Sequence, residues 1–114
     1  MQRIPLSQLE DMFSQMRRQS GMNVDGPLLW GYFFTDRDAA KLRPVADHLA
    51  SLGYRVVSIY PTDDGSTNFL HVEKVETHTP QSLDERNASF YALAERFGVE
   101  TYDGMDVGPV DAHR

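Results

Sequence analysis

The run Leu28-Leu29-Trp30-Gly31-Tyr32-Phe33-Phe34-Thr35 constrains this chain more than any other, because it reads as a strand that is apolar on both of its alternations. Successive strand residues point to opposite faces of the pleat. Leu29, Gly31 and Phe33 therefore claim one face, and Trp30, Tyr32 and Phe34 the other. The second set is too aromatic to be left in water, so whatever covers it is part of what the chain does.

The segments around this strand are punctuated by recognisable caps and turns. Ser7-Gln8-Leu9-Glu10 has the capping-box pattern, and Leu9, Met12, Phe13 and Met16 follow at helical spacing, predicting a first helix that ends near Gln19. Ser20 through Pro27 collects turn formers and reads as a loop. Asp36 is placed to cap a second helix carrying Ala39, Leu42, Ala46 and Leu49, which stops at Gly53. Pro44 lies inside it, where a proline removes a backbone bond at a cost of about 3 kcal/mol, so a kink or a restart is expected there. Tyr54 to Thr62 and Thr67 to Thr77 read as strands joined by the Asp63-Asp64-Gly65-Ser66 turn. Thr79 and Pro80, followed by Ser82-Leu83-Asp84-Glu85, open a third helix that presents Leu83, Phe90, Leu93, Ala94 and Phe97 before Gly98 closes it. Val99 to Tyr102 is a short last strand, and the glycine-, proline- and aspartate-rich residues beyond it read as mobile.

The order is a helix followed by βαββαβ. It predicts an α+β fold, a ferredoxin-like sandwich with an antiparallel four-stranded sheet and an extra N-terminal helix. The expected divisions are residues 1–27 as helix and loop, 28–105 as the ferredoxin-like domain, and 106–114 as a mobile tail. By alternation Leu29, Gly31 and Phe33 join Val57, Ile59, Leu70 and Val72 beneath the helices. Trp30, Tyr32, Phe34, Tyr60, Phe69, His71 and Glu73 then line the other face. Cover by the first helix, burial in a homodimer, and a partner protein are the three ways to keep that face dry. Trp30, Tyr32, Tyr60, Phe69, His71 and Tyr102 are the expected partner-contact residues, on the premise that they are exposed.

Other chemistry is thinly represented. The chain of 114 residues carries a formal charge of -6, and such a surface repels a phosphate backbone, so direct nucleic-acid binding is not expected and a basic partner is easier to accommodate. Stacked aromatics alone can hold unpaired bases, which keeps single-stranded RNA as an alternative use of the face. His71, Glu73 and His78 can be drawn as a dispersed metal set, and a small-ligand or metal-assisted enzyme on the same face is the other competing class. His48 and His113 read as structural or solvated. There is no cysteine, no Gly-x-Ser-x-Gly elbow and no glycine-rich phosphate cradle, so no catalytic residue and no cofactor are expected. No apolar run approaches the length of a membrane span and the N-terminus lacks an apolar signal core, which makes cytoplasm the expected compartment and a membrane role unexpected.

Three short stretches carry a family resemblance: Tyr32-Phe33-Phe34 ahead of Asp36, Leu49 through Val56 with its Gly53-Tyr54, and Leu93 to Gly104, where a helix ends in glycine and a strand runs into Tyr102-Asp103-Gly104. Together they resemble the RraB family, small acidic regulators of ribonuclease E activity, over residues 28 to 105. The resemblance implies a ferredoxin-like fold and a non-enzymatic, protein-binding regulatory role. In that family the best-known activity is inhibition of ribonuclease E through its non-catalytic C-terminal region. Met105 stands where the family usually has a tryptophan.

Overall fold

The computed structural model describes residues 3–19 and 21–110. Its elements run α1 (Leu6–Gln19), β1 (Leu28–Asp36), α2 (Ala39–Ser51), β2 (Arg55–Pro61), β3 (Asn68–Glu76), α3 (Pro80–Phe97) and β4 (Thr101–Gly108). The four strands form one antiparallel sheet in the order β2-β3-β1-β4, the ferredoxin-like arrangement. The doubly apolar strand β1 thus takes a central place. The part of the expected tail at 111–114, with His113, lies outside the described residues.

Local chemistry fixes the helix ends. Thr79 accepts from Ser82 N while Ser82 Oγ accepts from Thr79 N, a reciprocal capping box with Pro80 beginning the helix, so Ser82 acts at the third helical position and not as a cap itself. Gly98 closes α3 at φ 68°, a left-handed conformation that side chains with a Cβ rarely adopt. The cap of α2 is Asp38, whose carboxylate accepts from Ala40 N. Asp36, expected in that role, is buried and accepts from Asp38 N and Glu100 N, tying the end of β1 to the entry of β4. α2 runs on through Pro44.

Strand register corrects the assignment of faces. Tyr32 pairs with Val72 and Phe34 with Leu70, and directly paired residues share a face. Trp30, Tyr32 and Phe34 therefore lie beneath the helices with Leu70 and Val72, and Leu29, Gly31 and Phe33 turn the other way. Ile59 pairs with Leu70 as expected, whereas Val57 falls in a bulge between Val56 and Ser58 and is exposed. All three helices pack on the Trp30 side. Phe13 of α1 stacks on Trp30 at 5.9 Å, and Phe90 of α3 meets Tyr32 at 5.0 Å and Phe34 at 5.4 Å. The expected cover by the first helix is thus present over Trp30, shared with two other helices over the rest. Trp30 Nε1 is fully buried with no hydrogen-bond partner among the described residues.

The last strand is longer than expected and reaches Gly108. Tyr102-Asp103-Gly104 is not a turn that ends it. Phe34 pairs with Tyr102 and Phe33 with Gly104, so Asp103 is the extra residue of a bulge, and Gly104 takes φ 110° within it.

Candidate partner-binding face

On the side of the sheet away from the helices, the side chains of three strands form a row. Tyr60 of β2 stacks on Phe69 of β3 at 5.7 Å, Phe69 meets Phe33 of β1 edge-on at 6.2 Å, and Phe33 stacks on His71 at 4.4 Å. The cross-strand pairs Tyr60 with Phe69 and Phe33 with His71 dictate this contact order. Tyr60 is 38% exposed, and Phe33, Phe69 and His71 are each half-buried. No helix among the described residues lies over the row.

Past His71 the row ends in a hollow of about 210 Å³ lined by Leu29, Gly31, His71, Glu73, Asp106, Val107 and Gly108. Gly31 forms its floor. A Cβ there would collide with Asp106 Oδ1 and stand 2.8 Å from His71 Nε2, so the glycine is what lets these two groups lean over the strand. Glu73 is buried and accepts from the guanidinium of Arg55 at 2.5 Å.

The helix side carries a different polar group. Glu76 at the end of β3 accepts from Tyr32 Oη at 2.7 Å and from Arg86 of α3 at 2.6 and 2.7 Å. His78 Nε2 lies 3.0 Å from Tyr32 Oη and 3.3 Å from Glu76, its Nδ1 lies 2.9 Å from Ser82 Oγ, and Arg86 also donates to Tyr54 Oη. Burial pushes the Glu76 carboxyl up, but the hydrogen bonds from His78, Tyr32 and Arg86, with the guanidinium charge, outweigh it and hold the group down at about 2. Burial, partly opposed by Arg86, pushes the Tyr54 phenol up to about 12. Burial and the bond to Glu76 push Tyr32 higher still. Glu76 and Arg86 therefore stay charged and the Tyr32 and Tyr54 phenols stay neutral across the neutral range, which suits a structural clasp between β3 and α3.

The six residues expected to contact a partner divide evenly between the two faces. Trp30, Tyr32 and Tyr102 are at most 2% exposed, and their expected exposure is corrected by the strand register that turns them under the helices. Tyr102 donates to Asn87 Oδ1 at 2.6 Å in the core. Tyr60, Phe69 and His71 do share the open face, joined by Phe33, which the sequence reading had placed among core residues. His71 and Glu73 lie on the open face while His78 is buried on the other, so that metal set is not assembled; among the described residues no group of three such side chains could hold a metal. Asp63 and Asp64 sit in the β2–β3 turn, where Asp64 accepts from Ser66 N, Thr62 Oγ1 and Ser66 Oγ, bonds that hold its carboxyl at about 2. Asp106 was missed because its segment read as tail; the Arg86–Glu76 pair was missed because helix and strand meet only in the fold.

A family model described as RraB, regulator of ribonuclease activity B, matches residues 7–107. The chain belongs to the RraB family. That match reaches beyond the sequence resemblance at both ends, taking in most of α1 and nearly all of β4, the two elements that cover Trp30 and present Asp106. Membership places the chain among regulators of ribonuclease activity, a regulatory family and not one known for enzymes. No curated protein matches the chain. No helix among the described residues is long and apolar enough to cross a membrane.

Proposed function

We propose that this RraB-family chain binds a protein partner through the open face of its sheet and so restrains ribonuclease E by way of that enzyme's non-catalytic C-terminal region. The family match carries the regulatory half of this reading. The row Tyr60, Phe69, Phe33 and His71 supports the docking half, because aromatics dominate interface hot spots and a helix-free sheet face of this kind is suited to an extended or flat partner. The surface is acidic, with a net charge of -6, so it favours a basic protein segment over RNA itself. A cytoplasmic location follows from the partner proposed.

The test is capture of the purified C-terminal region of ribonuclease E by the tagged chain, with ribonuclease activity measured in parallel. Retention together with slowed cleavage supports the proposal, and Phe69→Ala is expected to weaken capture at least tenfold with the fold intact. Absence of capture at low salt sinks ribonuclease E as the partner. Capture unaffected by Phe69→Ala sinks the open face as the docking surface.

A further inference from the structure

The open face combines a row of rings with an unpaired carboxylate at its end. Asp106 makes no hydrogen bond or ion pair among the described residues, although its Oδ1 and His71 Nε2 both reach over the bare backbone of Gly31. A glycine in the middle of a central strand weakens the strand and marks a place where something approaches the backbone closely. Here the approach is made by the two polar groups from either side, since Asp106 of β4 pairs with Gly31 and His71 of β3 sits beside it.

The chemistry of the hollow selects its occupant. Its nearest internal precedent is Arg55, whose guanidinium already lies on the buried carboxylate of Glu73 on the same face. Asp106 offers a second carboxylate with no such partner, in a chain whose net charge of -6 draws cations toward it. The His71 ring is stacked on Phe33 at 4.4 Å and is thereby held with its Nε2 over Gly31, continuous with the row. A planar guanidinium can bond a carboxylate through its fork and lie against rings at the same time, which an ammonium does less well. We propose that the Gly31 hollow takes an arginine side chain from an extended basic segment of the protein partner, its guanidinium on Asp106 and against His71.

This inference rests on the open face being the docking surface, and the two can fail separately. The first measurement is a proton–nitrogen NMR titration of the full chain with a blocked, arginine-centred glycine pentapeptide and with its citrulline counterpart, which keeps the shape and loses the charge. The arginine peptide is expected to shift the Gly31, His71 and Asp106 amides saturably, with the citrulline peptide about tenfold weaker. Asp106→Asn, at an exposed site with no hydrogen bond or ion pair among the described residues to lose, is expected to bring the two peptides to parity. Equal binding of both peptides by the unaltered chain, or shifts spread over the acidic surface, overturns the arginine hollow. The second measurement is capture of the ribonuclease E C-terminal region. If Phe69→Ala abolishes capture and Asp106→Asn leaves it unchanged, the face stands and the hollow falls. If neither variant matters, docking on this face falls and takes the hollow with it.

Discussion

Phe33 and Phe34 are neighbours in the chain and have the same side chain, yet one lies half-buried on an open sheet face and the other is sealed under α3. Each is surrounded by rings. Around Phe34 those rings, Phe90 and Tyr102, come from a helix and another strand and close the space completely; around Phe33 they come from the single adjacent strand β3 and leave one side free. Aromatic clustering by itself therefore says nothing about whether a cluster is core or surface. What separates the two is whether a further layer covers them, because burial removes area from water while a single layer of rings still exposes its outer faces.

The sharpest way to break that comparison is to truncate one ring on each side. Trp30→Ala is expected to lower the unfolding free energy by about 3 to 5 kcal/mol, since it leaves a cavity against Phe13 and His78, and Phe69→Ala by about 1 kcal/mol. Denaturant unfolding of both variants measures the gap. Similar losses would mean that the open face is covered in solution.

A smaller effect tests the clasp that exists only on the helix side. Glu76 titrates at about 2 in the fold against 4.5 ordinarily, so its contribution is fully present above about pH 5 and disappears as the pH falls toward 2. At neutral pH that contribution is about 3 kcal/mol. Stability measured from pH 6 down to pH 2 should fall less steeply in Glu76→Gln than in the unaltered chain. The open-face counterpart is Asp106→Asn, which should leave the stability unchanged within about 0.5 kcal/mol, because that carboxylate makes no hydrogen bond or ion pair among the described residues. The smallest effect belongs to Arg17→Ala: the exposed pair with Asp25 is screened by solvent on both sides, and no shift in the unfolding midpoint is expected.

Much of the architecture was legible because its signals are local. Thr79, Pro80 and Gly98 mark the ends of α3 by backbone chemistry that no distant residue alters. The Asp63-Asp64-Gly65-Ser66 turn gave the β2–β3 pair in the same way. The resemblance carried by Gly53-Tyr54 and by Leu93 to Gly104 pointed to the family that the chain proved to belong to. The failures share a different cause. Tyr102-Asp103-Gly104 has turn chemistry, but pairing with β1 supplies partners for its backbone and converts the turn into a bulge within a continuing strand. Asp36 looks like a helix cap, and is instead drawn to the amide of Glu100, a residue far along the chain.

Tyr60, Phe69 and His71 share one sheet face, as alternation beyond the β2 bulge and along β3 implies. β1 was ambiguous because both of its alternations are apolar, so period alone could not say which set the helices cover. Composition, caps and the spacing of apolar residues determined the order of elements and the class of fold. Only the tertiary structure decided that Trp30, Tyr32 and Tyr102 are core and that Gly31, His71 and Asp106 converge, because register is a relation between strands and no single strand contains it.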